Sequence, residues 1–470
     1  MSPIPWTESQ VLEATGGRRI CGTGACSFSG ISIDSRTIAP GELFVAIRGE
    51  RLDGHAFVAD AQEKGVSGFV VTEQMISQMP VERWVETGVF CAAVPETTSA
   101  LGALAAFHRE RAGVRVIAIT GSNGKTTTRA MTAAVMERCH RILATQGNFN
   151  NEIGLPLTLF RLEADHEWAV VELGMNHAGE IRRLARICRP DVGIITNVGP
   201  AHLKDLGSLE GVAAAKGELW DEMGRNATAI LNVDDPNCCR LAEKRLFRVV
   251  GFGLDESADI RGLALETTTS GVSFILRLPE IELPVHLRVP GRFMVLNALA
   301  AAAAGWVAGI PSKEIVRGIE GFQPVSGRMG VTETRRRITL VNDTYNANPH
   351  SMRAAIEAFA ALRGEGRGVL VLGDMFELGE SAYSLHRSVG EWAAESGVCR
   401  LCVTGEFAPA YLDGASKQGM TPADMISGTK AALVEDLKQY LAEGDWVLVK
   451  GSRGMAMETV FNELRKWADA

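Results

Sequence analysis

From about residue 326 onward the hydrophobic positions alternate regularly between short apolar runs and longer amphipathic ones. Four runs, ITLVND (338–343), VLVLGD (369–374), LCVTG (401–405) and WVLVKG (446–451), are nearly continuous in apolar residues until a polar residue closes them. Helical patterns lie between and after them, over 351–363, 383–396, 429–443 and 455–468. Strands apolar on both faces and separated by helices predict a parallel, doubly wound sheet, which gathers ligands at the carboxyl ends of its strands. Upstream the pattern is less strict. An apolar run at 114–119 passes through a glycine turn into a helix over 125–138; strands follow at 168–171 and 192–196, then a helix at 211–222. Residues 227–290 are strand-rich, and an alanine-rich helix is expected to start at Asn297. Near the N-terminus, strands are expected at 43–47 and 68–71, with helices at 56–64 and 97–111.

Chemistry-bearing residues collect where these runs end. The turn after 114–119 holds Gly121 and Gly124, and Lys125, Thr126 and Thr127 open the next helix. Strand, glycine turn, Lys-Thr and helix is the layout of a nucleotide phosphate cradle. Backbone N–H groups face phosphate oxygens, the ammonium reaches the β/γ phosphates and the Thr126 hydroxyl can ligate Mg²⁺. Ile119 stands where the fuller pattern has its first glycine. Glu172 follows W-A-V-V at a strand end, where a Mg²⁺ ligand would sit and where a charge needs a partner. His202, after the 192–196 strand, reads either as a metal or phosphate neighbour or as a solvated loop histidine. Lys216, in AAAKGELW, reads on its own as a surface lysine. Arg36 and Arg48, beside turns, either serve ordinary turn chemistry or hold a second phosphorylated ligand. In the C-terminal part three of the four strands end in polar strings, starting at Asp343, Gly373 and Lys450, which favours a functional rim.

Composition narrows the picture. At 470 residues the chain is long enough for two to four domains. A net charge of −8, from 48 Lys plus Arg against 56 Asp plus Glu, with no basic run, argues against nucleic acid and anionic membranes as partners. The most apolar run, 298–308, is far shorter than the ~20 residues of a membrane span. The nine cysteines lack framework spacing, and Cys399 and Cys402 fall in an apolar run, so buried thiols and a reduced cytoplasmic compartment are expected.

In chain order, ITGSNGKTTT, ELGMNHAGEI, NVGPAHL, AAAKGEL, GRFMVLNALAA and SGRM resemble the Mur ligase family of ATP-dependent peptidoglycan-precursor ligases, across essentially the whole chain. GNFNNEIGLPLTL, DTYNANPHSMRAA and VLGDMFELG resemble the branch that joins D-alanyl-D-alanine to UDP-N-acetylmuramoyl-tripeptide. The resemblance implies three α/β domains: a small UDP-sugar-binding one (1–95), a central P-loop ATPase-like one (96–325) and a C-terminal one with a Rossmann-like parallel sheet (326–470). It implies a monomeric cytoplasmic ligase that uses ATP and two Mg²⁺ ions. It further implies nucleotide contacts from Gly121, Asn123, Gly124, Lys125, Thr126, Thr127, Asn297 and Arg328, with Asp343, Tyr345 and Asn346 at the nucleotide's interdomain edge. Thr126 and Glu172 would hold Mg²⁺, His202 would neighbour a second ion, and Lys216 would be carbamylated and turned into a metal-holding anion. Ser35, Arg36, Asp53 and His55 match the UDP-sugar domain, and Asn148 and Asn151 the muramoyl-peptide contacts. The dipeptide is expected among Asn348, Ser452 and Arg453.

Overall fold

Three α/β units follow one another along the chain, built on sheets of five, nine and six strands. The computed structural model describes residues 4–470 apart from 50–51, 244–246, 269–270 and 290. In the first unit Ile31–Ser32, Leu43–Val45, Gly68–Thr72 and Phe90–Val94 pair in parallel, and Arg18–Cys21 closes one edge antiparallel. The helix expected at 56–64 begins as a tight 3-10 turn, Gly54–Phe57, before Val58–Glu63 becomes α-helical.

The central sheet explains the position of the phosphate loop. Strand Arg115–Thr120 lies between Trp168–Glu172 and Val192–Ile195, all parallel. Register sets Glu172 opposite Ile119 and Ile195 opposite Thr120, so three strand ends open at one level. Buried Ile, Val and Ala side chains fill both faces of these strands, as a sheet covered on two sides requires. The strand-rich region continues through Thr228–Asn232, Arg248–Gly253 and Ile260–Thr268, then turns antiparallel in Gly271–Leu278 and Ile281–Leu287. Asn297 does not start its helix. It lies in the second turn of Arg292–Val307, buried, because the helix runs under the phosphate loop.

In the C-terminal unit Thr339–Asp343, Trp446–Lys450, Gly368–Gly373, Arg400–Thr404 and Met425–Ser427 pair in parallel in that order. The sheet departs from the all-parallel expectation at one edge, where Gly330–Glu333 joins antiparallel. A helix absent from the expected set, Ala408–Lys417, packs on Ala382–Glu395. Glycines on each helix permit the approach: a Cβ at Gly390 would lie 2.0 Å from the Tyr411 carbonyl, and one at Gly414 2.0 Å from that of Arg387. Gly390→Ala or Gly414→Ala is therefore expected to destabilise this unit by about 1–3 kcal/mol, read as a lowered urea midpoint. An unchanged midpoint would mean that these backbones stand further apart.

Candidate active site

The phosphate loop is held from below by the neighbouring strand end. The N–H of Ser122 donates to the Asn197 carbonyl, and that of Asn123 to Asn197 Oδ1, both at 3.0 Å. Thr196 Oγ1 and Asn197 Nδ2 both donate to the Asn123 carbonyl, at 2.6 and 3.0 Å. Gly121 has φ 150°, and a Cβ there would come 1.9 Å from Thr196 Oγ1, so only glycine lets the loop sit this low. Gly124, at φ 80°, starts helix Lys125–Met136, and no side chain caps that end. An uncapped helix N-terminus facing a cleft is a ready anion site. Lys125 folds over its own loop, Nζ donating to the carbonyls of Gly121 (2.8 Å) and Ser122 (3.4 Å). Burial pulls its pKa below the usual lysine value, with Glu172 opposing and Arg328 adding to the shift.

Around the loop the charges are incompletely matched. Glu172 is buried; Oε1 accepts from Asn150 Nδ2 at 2.9 Å, while Oε2 has no hydrogen-bond partner among the described residues. A buried, half-satisfied carboxylate one strand from a phosphate cradle is a fitting donor for a divalent cation. Arg129, one helical turn beyond Lys125, has a buried Nε without a hydrogen-bond partner among the described residues. Lys216 is not on the surface. It is 1 % exposed, and its amine makes no hydrogen bond or ion pair among the described residues. Burial pulls its amine well below the usual lysine pKa, the Lys125 charge adding to the effect and Cys238 opposing it.

The C-terminal unit supplies the opposite wall. Arg328 Nη2 donates to Thr126 Oγ1 at 2.9 Å, and its guanidinium lies 4.2 Å from the Tyr345 ring centroid. Asn348 caps helix Pro349–Arg363 and donates from Nδ2 to Asn123 Oδ1 at 2.8 Å. Asp343 is tied to Lys450 Nζ (2.5 Å), which also donates to the Asn346 carbonyl (3.0 Å). Ser452 is buried, its hydroxyl accepting from the Phe376 N–H, whereas Arg453 is exposed and pairs with Glu458. His202 Nδ1 lies 2.6 Å from Glu377 Oε2, and that imidazole holds the Glu377 carboxyl below its ordinary pKa.

Together these walls enclose a cleft of about 1070 Å³. Of the expected residues it is lined by Asn123, Gly124, Lys125, Thr127, Asn148, Asn151, Glu172, His202, Asn297, Arg328, Asp343, Tyr345, Asn346, Asn348, Ser452 and Arg453. Thr126 sits directly behind, under Arg328. A cleft just above the usual range for small-ligand sites, roughly 300–1,000 Å³, suits more than one substrate at once.

Three family models match in sequence. They are the Mur ligase family catalytic domain over 27–109, the Mur ligase middle domain over 119–305 and the Mur ligase glutamate ligase domain over 327–453. The chain belongs to the Mur ligase family. It is 37% identical over 442 residues to the UDP-N-acetylmuramoyl-tripeptide–D-alanyl-D-alanine ligase of Escherichia coli, covering 93% of each chain. A crystal structure of MurF from Acinetobacter baumannii superposes with TM-score 0.90 at 32% identity, over 99% of this chain and 100% of that one. MurF ligase from Thermotoga maritima in complex with ADP matches at TM-score 0.81 and 27% identity, over 94% of this chain and 98% of that one.

Four expected residues lie in the first unit and do not line the cleft of this Mur ligase. His55 is buried with both ring nitrogens engaged, Nδ1 with Asp53 Oδ1 at 2.6 Å and Nε2 with the Thr72 N–H at 3.0 Å. Ser35 is buried, and Arg36 is exposed and doubly bonded to Asp34. In the loop that faces the phosphate cradle, Asn151 lies three residues before helix Gly154–Leu159, its Oδ1 accepting from the Ile153 and Gly154 N–H groups, and Asn148 is exposed. Sequence reasoning passed over Asn150, Arg129, Lys450 and Glu377. Asn150 was visible only as one member of an asparagine cluster, and Lys450 only as a strand-end charge.

Proposed function

We propose that the chain is an ATP-dependent ligase joining the amine of D-alanyl-D-alanine to the C-terminal carboxylate of UDP-N-acetylmuramoyl-tripeptide. The products are the pentapeptide precursor, ADP and phosphate. One observation carries the reading within the family: an uncapped phosphate-loop helix and a polar rim from a second unit face each other across one cleft, joined by Arg328–Thr126 and Asn348–Asn123. A carboxylate is a poor electrophile at neutral pH. Transfer of the γ-phosphoryl group makes it an acyl phosphate; the incoming amine adds to that carbonyl, loses a proton, and phosphate leaves. Such catalysis is chiefly positioning and charge neutralisation.

Lys125 and the first-turn N–H groups of its helix hold the transferred phosphoryl group, and Arg328, stacked on Tyr345, steadies the nucleotide from the C-terminal side. Thr126 and Glu172, with its open Oε2, would hold Mg²⁺, and His202 a second ion. Mg²⁺ held there would neutralise charge on the transferred phosphoryl group. Burial holds the Lys216 amine well below the usual lysine pKa and so favours the unprotonated form that adds to CO₂, forming an N–C bond and releasing a proton to leave a carbamate near Lys125. The first unit, residues 1–95, takes the UDP sugar with Ser35, Arg36, Asp53 and His55 at or beneath its turns; Asn148 and Asn151 meet the muramoyl peptide, and Asn348, Ser452 and Arg453 the dipeptide. A single copy suffices, since one chain supplies every wall. Phosphate release by the purified chain is expected only when ATP, UDP-N-acetylmuramoyl-tripeptide and D-alanyl-D-alanine are all present. Release that proceeds without either of the last two would overturn the reading.

A further inference from the structure

His386 is a buried histidine behind the cleft wall. It lies in helix Ala382–Glu395, is 0 % exposed and does not line the cleft itself. Its ring stacks on Phe407, with centroids 4.5 Å apart, and meets the Tyr411 ring edge-on at 5.0 Å. Both nitrogens are engaged with backbone groups. Nε2 accepts from the Met375 N–H at 2.8 Å, and Nδ1 lies 2.6 Å from the Ala382 carbonyl oxygen. A backbone N–H can only donate and a carbonyl can only accept, so these two partners assign one tautomer: neutral, with the hydrogen on Nδ1. Burial pulls the imidazole pKa below its ordinary value, with the Ala382 hydrogen bond and Asp374 opposing, which keeps Nε2 free to accept at neutral pH.

The bond to Met375 falls in the middle of a loop tied to the cleft wall. After strand Gly368–Gly373, the Gly373 carbonyl accepts from the Tyr411 hydroxyl, and the Asp374 carboxylate accepts from the N–H groups of Glu406 and Phe407. The Asp374 carbonyl accepts from the Ser452 N–H at 3.0 Å, and the Phe376 N–H donates to Ser452 Oγ at 2.9 Å. Met375 stands between these two bonds. Ser452 Oγ in turn donates to the Ala347 carbonyl at 3.3 Å, beside Asn348. Ser452 thus knits the loop to Asn348 and to its own neighbour Arg453, while Phe376, Glu377 and Leu378 continue the wall. Without an acceptor at position 386 the Met375 N–H would be a buried donor with no partner. Rotating that peptide to satisfy it would disturb both Ser452 bonds.

We propose that His386 is a positioning residue for the dipeptide subsite. Its unprotonated Nε2 fixes the Met375 peptide, that peptide fixes the two loop bonds to Ser452, and the wall keeps one arrangement before substrate arrives. The proposal rests on the placement of D-alanyl-D-alanine at Asn348, Ser452 and Arg453 given above.

The test compares variants of the full chain by steady-state phosphate release, varying one substrate at a time. His386→Phe keeps a ring on Phe407 and removes the acceptor. It is expected to raise KM for D-alanyl-D-alanine about tenfold and to leave KM for ATP and for UDP-N-acetylmuramoyl-tripeptide unchanged. His386→Gln, whose side-chain oxygen reaches the place of Nε2, should recover most of the dipeptide KM. Equal rises for all three substrates, or equal losses in the two variants, would mean that His386 serves the fold alone and would overturn the proposal. Nitrogen-15 NMR of the histidine-labelled wild type reads the tautomer directly. The imidazole missing from the His386→Gln spectrum should carry its hydrogen on Nδ1; a charged ring or a hydrogen on Nε2 would also overturn it. Arg453→Ala separates the layers: if it raises the dipeptide KM and His386→Phe does not, positioning alone falls. If neither variant changes that KM, the placement of the dipeptide falls with it.

Discussion

Lys125→Ala is expected to abolish turnover and leave the fold intact. The ammonium waits over the loop on two carbonyl oxygens, those of Gly121 and Ser122, which a phosphate oxygen can replace without moving the backbone. Other cations near the loop enter from other directions: Arg328 is committed to Thr126 and Tyr345, and Lys216 is buried, which pulls its amine well below the usual lysine pKa. Removing one preorganised donor from a transition-state site typically costs about a hundred- to a thousandfold in rate, and a donor carrying a full charge at the transferred group lies at or beyond the upper figure. The loop itself should survive, because Thr196 and Asn197 hold it through the backbone of residues 122 and 123. Single-turnover phosphate release beside a thermal melt checks both halves. Retention of more than about a tenth of the wild-type rate would remove Lys125 from the chemistry.

What the sequence made legible follows from how local each signal is. The cradle could be read because its geometry lies within six consecutive residues, Gly121 to Thr126, between a strand and a helix. The alternation of the last unit could be read because parallel strands are apolar on both faces. Helix Ala408–Lys417 was hidden: APAYLDGASK carries a proline and a glycine that read as breakers. In the fold the proline occupies the first turn, where its missing N–H costs nothing, and Gly414 is a contact point between helices. Strand Ile260–Thr268 was hidden by a bulge, with Ala264 at φ 51° and the register slipping between Leu263 and Glu266, which breaks the period-two pattern. Lys216 shows the limit of local reading most sharply. A lysine flanked by alanines on a helix looks solvated, and its burial depends on strands and loops far away in sequence.

That burial leads to the second large effect. Lys216→Met is expected to give a protein more stable than the wild type and nearly inactive. The wild-type amine is buried with no hydrogen-bond or ion-pair partner among the described residues, so folding takes it from water without a compensating bond among them. An unbranched apolar side chain of similar length removes that burden. The sign with pH follows from the lowered pKa. Between that lowered value and the ordinary lysine value of 10.5, the unfolded chain binds the proton and the folded chain does not. Wild-type stability therefore rises with pH across this window, and the contribution is lost as pH falls through the folded pKa. Lys216→Met should lack that rise. Urea unfolding of both proteins in CO₂-depleted buffer from neutral to alkaline pH measures the difference. Activity supplies the other half: Lys216→Ala should lose turnover, and short-chain carboxylates should restore part of it by entering the space the carbamate would fill. A variant that stays active, or a rescue that fails while the wild-type lysine is found unmodified by mass spectrometry under CO₂, would leave Lys216 as a buried lysine without a part in the reaction.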